Sequence, residues 1–121
     1  MKHQFMVVAV VALSACSLPV TETPSELPVL SETAQHSRFA AFQDALELAQ
    51  NDQPTPWQTS RALGGIVTPI DTIHSAADGW CRSYEEIIAD GQKRYHLVGI
   101  ACRKSSQVWL VLDVRPFTEQ G

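Results

Sequence analysis

The most constraining stretch of this chain is Gly79–Arg103, GWCRSYEEIIADGQKRYHLVGIACR. Two strand-like runs flank Asp90-Gly91, a pair of residues frequent in hairpin turns. Each run carries a cysteine near its outer end, Cys81 and Cys102. A four-residue loop Asp90–Lys93 pairs Ala89 with Arg94. Counting outward from there places Cys81 directly opposite Cys102. The same register sets Tyr84 opposite Gly99, an aromatic ring over a weak strand position. A two-residue turn at Asp90-Gly91 would instead leave the cysteines diagonal, too far apart for easy bridging.

Whether those thiols are oxidised depends on the compartment, and the N-terminus speaks to that. Phe5–Leu13 (FMVVAVVAL) is apolar and follows a weakly basic start at Lys2. It is too short to cross a bilayer, which takes ~20 apolar residues, and reads as a secretory signal. Leu13-Ser14-Ala15-Cys16 resembles the bacterial lipobox, whose cysteine thiol is acylated and becomes the new amino terminus. The expected organisation is a signal peptide over Met1–Ala15, then a lipidated Cys16. A disordered Pro- and Ser-rich tether runs to Ser31, and a single domain spans Glu32–Gly121. Acyl chains anchor at about 0.8 kcal/mol per buried CH₂, so the chain is anchored to a membrane and does not span it. Ser17, a non-Asp residue after the cysteine, favours the outer membrane by analogy with enteric sorting. With Cys16 acylated, Cys81 and Cys102 remain as a pair in an oxidising compartment, and a disulfide is expected.

Upstream of the hairpin, Glu32–Asn51 has helical periodicity. Phe39, Phe42, Leu46 and Ala49 form one stripe, Gln43, Asp44 and Glu47 lie off it, and Ser31 is the N-cap. Pro54 and Pro56 end the helix. Trp57–Thr68 reads as two short extended pieces around Gly64-Gly65, and Thr68–Asp78 as a loop. Downstream, Ser106–Val114 alternates Val108, Leu110, Leu112 and Val114 against Trp109, Val111 and Asp113, the period of a strand. The fold class is α+β, mainly β: one N-terminal helix, then a small antiparallel meander of four or five strands with a cross-strand disulfide.

The hairpin residues resemble the C-terminal domain of the rickettsial 17-kilodalton surface antigen family of bacterial envelope lipoproteins. The resemblance rests on Cys81, Arg82, Tyr84, Asp90, Gly91, Gly99, Ala101, Cys102, Arg103 and Trp109. Upstream ALELAQ, Trp57 and GGIVTP add to it. The glycine zipper of many members is absent, and the turn before the tryptophan strand is Lys104-Ser105-Ser106-Gln107. The resemblance implies an outer-membrane lipoprotein with a small β-rich domain; it implies no particular catalytic activity, and no catalytic residues carry over from it.

Chemistry-bearing patterns are sparse. His36, His74 and His96 show no zinc-ligand spacing, and Asp71 with His74 reads as a solvated loop pair. His96 is expected on the cysteine face, opposite Ile87, at the edge of the sheet. Glu85 and Glu86 are adjacent on a strand and point to opposite faces, so they form no carboxylate pair. Gly64-Gly65 lacks the Lys-Ser/Thr of a phosphate loop. A formal net charge of −4 argues against nucleic acid as a partner. No cofactor or metal is expected. Trp80, Arg82, Tyr84 and Arg103 fall on the face opposite the cysteines and form a candidate interaction face. The functional expectation is a structural or interaction role in the envelope, with an unknown protein partner. The alternative is a binding module or inhibitor capturing a protein or small ligand through the Arg/Trp face.

Overall fold

The structure, a computed structural model, describes residues 27–104 and 106–118. The signal segment, Cys16 and most of the expected tether lie outside the described residues. A helix α1 (Glu32–Leu48) precedes strands β1 (Thr55–Gln58), β2 (Leu63–Ser75), β3 (Gly79–Asp90), β4 (Lys93–Arg103) and β5 (Leu110–Pro116). The strands form one antiparallel sheet in the order β1-β2-β3-β4-β5, a continuous meander. The helix lies across one face, closest to β1 and β2.

Ser31 caps α1, its Oγ accepting from Ala34 N at 3.2 Å. The helix stops at Leu48, a turn earlier than its periodicity extends, and Ala49 is the extended C-cap. The buried stripe is Ala34, Ala41, Phe42, Ala45 and Leu46; Phe39 is exposed. Small alanines let the helix axis approach the sheet, so the contact line runs along them and leaves Phe39 to one side. Leu30 is buried in the same core, so packing begins before the helix and inside the segment expected to be tether.

The glycine pair is not a turn. The chain reverses between Gln58 and Leu63, and both glycines lie inside β2. Gly65 is opposite Trp57, and a Cβ there would stand 2.7 Å from the indole nitrogen and 2.7 Å from the Ile87 carbonyl oxygen. The absent side chain seats the tryptophan.

The expected loop after Thr68 is also strand, to Ser75. Pro69 is tolerated because β1 pairs only as far as Val67. Beyond it the proline nitrogen meets no ladder partner, and the Pro69 carbonyl accepts from Asp52 N at 2.7 Å. A register shift follows between Pro69 and Asp71, leaving Ile70 as a bulge.

The hairpin register is the one counted from the sequence: Ala89 pairs with Arg94, Tyr84 with Gly99, and Cys81 with Cys102. Its loop is shorter, because Asp90 also pairs with Lys93, leaving Gly91-Gln92 as a two-residue turn. Gly91 has φ 61° while Gln92 has no positive φ, the φ pattern of a type II′ turn. A disulfide joins Cys81 to Cys102 with Cα atoms 4.0 Å apart. In the loop-entropy view such a bridge contributes about 3 kcal/mol.

The last strand begins later than its alternation suggests. Trp109 precedes it and is buried, and a register shift between Ile100 and Ala101 leaves Leu112 unpaired. Leu110, Val111 and Leu112 are all exposed on this edge strand, on either side of the alternation.

Candidate functional site

The residues expected to make an Arg/Trp interaction face are separated by the helix. Arg82 is 6 % exposed and Tyr84 2 %. Both sit beneath α1, because even-numbered residues of β3 point to the helix side. Trp80, 46 % exposed, lies beyond the helix end with its ring 4.7 Å from His74. Arg103 is half-buried at the helix flank. These four residues are not one open surface, since a sheet of this size must bury one face and the helix covers theirs.

They belong instead to a polar clasp that holds the helix down. Arg82 Nη1 donates to the carbonyls of Ala45 (3.3 Å) and Leu46 (2.7 Å), and its Nη2 donates to Asn51 Oδ1 at 3.0 Å. The last helical turn has no basic residue of its own. The sheet therefore supplies the cation that the negative helix end favours. Burial lowers the Arg82 pKa from its ordinary value.

Farther along, Gln43 grips the backbone of Trp109 in both directions. Its Nε2 donates to Trp109 O, and Trp109 N donates to its Oε1, each at 2.8 Å. Glu47 accepts from Trp109 Nε1 at 2.8 Å and from Arg103 Nη1 at 2.6 Å, and the Arg103 guanidinium lies 5.7 Å from the Trp109 ring centre. Tyr84 packs edge-on against Phe42 at 5.0 Å. Its pKa is pushed up to about 12, chiefly by burial and then by the Glu86 charge.

Glu86 is fully buried. Its two oxygens accept from Arg38 Nε (2.8 Å) and Nη2 (2.7 Å). That bidentate bond raises the Arg38 pKa above its usual value despite the opposing cost of burial. Sequence reading missed Arg38, Gln43, Glu47 and Glu86 as clasp residues. One signal was present: Glu86 shares strand parity with Tyr84 and Ile88, so a carboxylate stood among core positions and needed a partner.

Among the described residues, no helix lies over the opposite face of the sheet. That face carries Ile66, Glu85, Ile87, His96, Val98, Ile100, Asp113, Arg115 and Phe117, placed there by the register. A depression of about 350 Å³ lies between Ile70, Ser83, Val98, Ile100, Asp113 and Arg115. The bulges at Ile70 and Leu112 flank it on the neighbouring strands. His96 faces Ile87 as expected but not at an edge, because Phe117 N bonds His96 O just past β5. The imidazole stacks on Phe117 at 4.4 Å, and its Nε2 lies 3.1 Å from Glu85 Oε1.

Both sheet edges are guarded against strand addition. β1 contains Pro56, and β5 has its bulge and Pro116. Among the described residues, no group of three or more His, Cys, Asp or Glu is placed to hold a metal ion, and no helix is long and apolar enough to cross a membrane. Glu85 and Glu86 diverge to opposite faces, as their adjacency requires. No protein-family model, curated protein or solved structure matches the chain.

Proposed function

We propose that the protein is a small lipoprotein anchored by Cys16 in the bacterial outer membrane, with a non-catalytic structural or interaction role in the envelope. One observation carries this reading: Leu13-Ser14-Ala15-Cys16 directly after the apolar Phe5–Leu13. Small residues at 14 and 15 suit a peptidase pocket, and the thiol alone at this site can form a thioether to diacylglycerol. The Cys81–Cys102 bridge is in keeping with an oxidising compartment. The prolines of Ser17–Ser31 suit a spacer of ~3.1 Å per extended residue between lipid and domain.

The likeness to the rickettsial 17-kilodalton surface antigen family adds support, and its motif residues are those of the clasp and the bridge. A domain so built is a stapled platform. Its uncovered sheet face, not the buried Arg82–Tyr84 side, is the surface available to a partner.

The test is metabolic labelling with a clickable fatty acid, followed by membrane fractionation. The wild type takes label and sediments with outer membranes. Cys16→Ala loses the label and moves to the soluble fraction. Unchanged membrane retention of Cys16→Ala would refute the anchor.

A further inference from the structure

The open sheet face is self-complementary, and we infer that it is the interface of a symmetric dimer between two copies of this chain. A twisted sheet is saddle-shaped. Turned over about an axis along one of its own strands, such a saddle reproduces its curvature, so two copies nest face to face with aligned strands. Taking the axis along a strand, charge distinguishes the two strands, β3 and β4, compared for that place.

With β3 on the axis, Glu85 meets Glu85 of the second copy, a like-charge contact. With β4 on the axis, β3 lies over β5 of the second copy and residues in one cross-strand row stay level. The rows are Glu85–Val98–Arg115, Ser83–Ile100–Asp113 and Ile87–His96 continuing to Phe117. Glu85 then faces Arg115 of the second copy, Ser83 faces Asp113, and Ile87 faces Phe117. Val98 and Ile100 meet their own counterparts at the centre, and His96 does so at the end of the axis.

Each off-axis contact occurs twice and each on-axis contact once, as a two-fold axis requires. Neither Asp113 nor Arg115 has a salt-bridge partner among the described residues of its own chain. The edge-guarding prolines and bulge oppose the competing mode, strand addition at β5. Three strands make a modest interface, so association in the range of roughly 1–100 µM is expected.

The experiment is sedimentation of the full chain in density-matched detergent across that concentration range, with a charge swap. The wild type should pass from monomer to dimer. Glu85→Arg and Arg115→Glu should each weaken dimerisation by about tenfold or more. The double variant, with the pair reversed, should recover to within about threefold of wild type. Circular dichroism checks that the variants fold. A monomer at every concentration would overturn the dimer, as would a double variant no better than the single ones. So would photo-crosslinks from position 98 that reach a different envelope protein instead of a second copy. None of these results bears on the lipid anchor, which Cys16→Ala tests separately.

Discussion

Removing Arg38 should damage this fold far more than removing the carboxylate it holds. Glu86 has a side chain 0 % exposed, and Arg38 one that is 30 % exposed. In Arg38→Ala the buried carboxylate loses both of its donors, a situation that costs about 3–5 kcal/mol. In Glu86→Leu the orphaned guanidinium still touches solvent, and its stem continues to cover the sheet. That variant should lose only about 1 kcal/mol, and the pair Arg38→Met with Glu86→Leu should return to within about 1 kcal/mol of wild type.

Urea unfolding, followed by the fluorescence of the buried Trp57 and Trp109, measures all three variants. With a slope of roughly 1–1.5 kcal/mol per molar urea for a small domain, the Arg38→Ala midpoint should drop by about 2–5 M. Equal losses for Arg38→Ala and Glu86→Leu, or a loss under about 1 kcal/mol for Arg38→Ala, would refute the argument. Either result would mean that water screens the pair and that this ion pair contributes little to seating the helix.

Two further outcomes follow from the same face of the sheet. Tyr84 has a folded pKa near 12 against an ordinary value of 10.0, so its protonated form is favoured by folding. That stability is intact below pH 10 and is lost as pH rises toward 12, amounting to about 2–3 kcal/mol. Melting temperatures from pH 9 to 11.5 should therefore fall less steeply for Tyr84→Phe than for wild type. Gly99→Ala would put a Cβ 2.6 Å from Tyr84 Oη and 2.7 Å from the Asp113 carbonyl oxygen. It should destabilise by about 1–3 kcal/mol in the same urea assay, and a neutral result would show that β5 moves freely.

The residues that carry the family resemblance acquire a physical meaning from the fold. Cys81 and Cys102 form the staple, and Arg82 caps the helix from below. Tyr84 fills the space above Gly99, and Arg103 and Trp109 share Glu47 with the helix. A motif of this kind specifies how a helix is held to a sheet.

Local chemistry determined a good deal on its own. Strand periodicity around Asp90-Gly91 placed the hairpin, and cysteine spacing with the Tyr84–Gly99 pairing selected its register to the residue, although the turn itself is Gly91-Gln92. Ser31 marked the helix start, because a cap is a contact between near neighbours. What failed to show was whatever depended on distant partners. Pro69 looked like a strand breaker until the shortness of β1 left its nitrogen without a ladder to disrupt. Gly64-Gly65 looked like a turn until Trp57 occupied the space above Gly65.

The sidedness of the sheet was the largest matter left to tertiary structure. Alternation places Arg82, Tyr84 and Glu86 on one face and Glu85, Val98 and Ile100 on the other, and both faces mix charge with apolar groups. A helix could have settled on either. It chose the face where Arg82 meets its terminal carbonyls, Glu86 meets Arg38 and Gln43 meets the Trp109 backbone. Those matches span dozens of residues, so no local pattern encodes them. Sequence alone therefore determined the β3–β4 hairpin, its register and its bridge, while helix docking decided which side of the sheet stayed uncovered among the described residues.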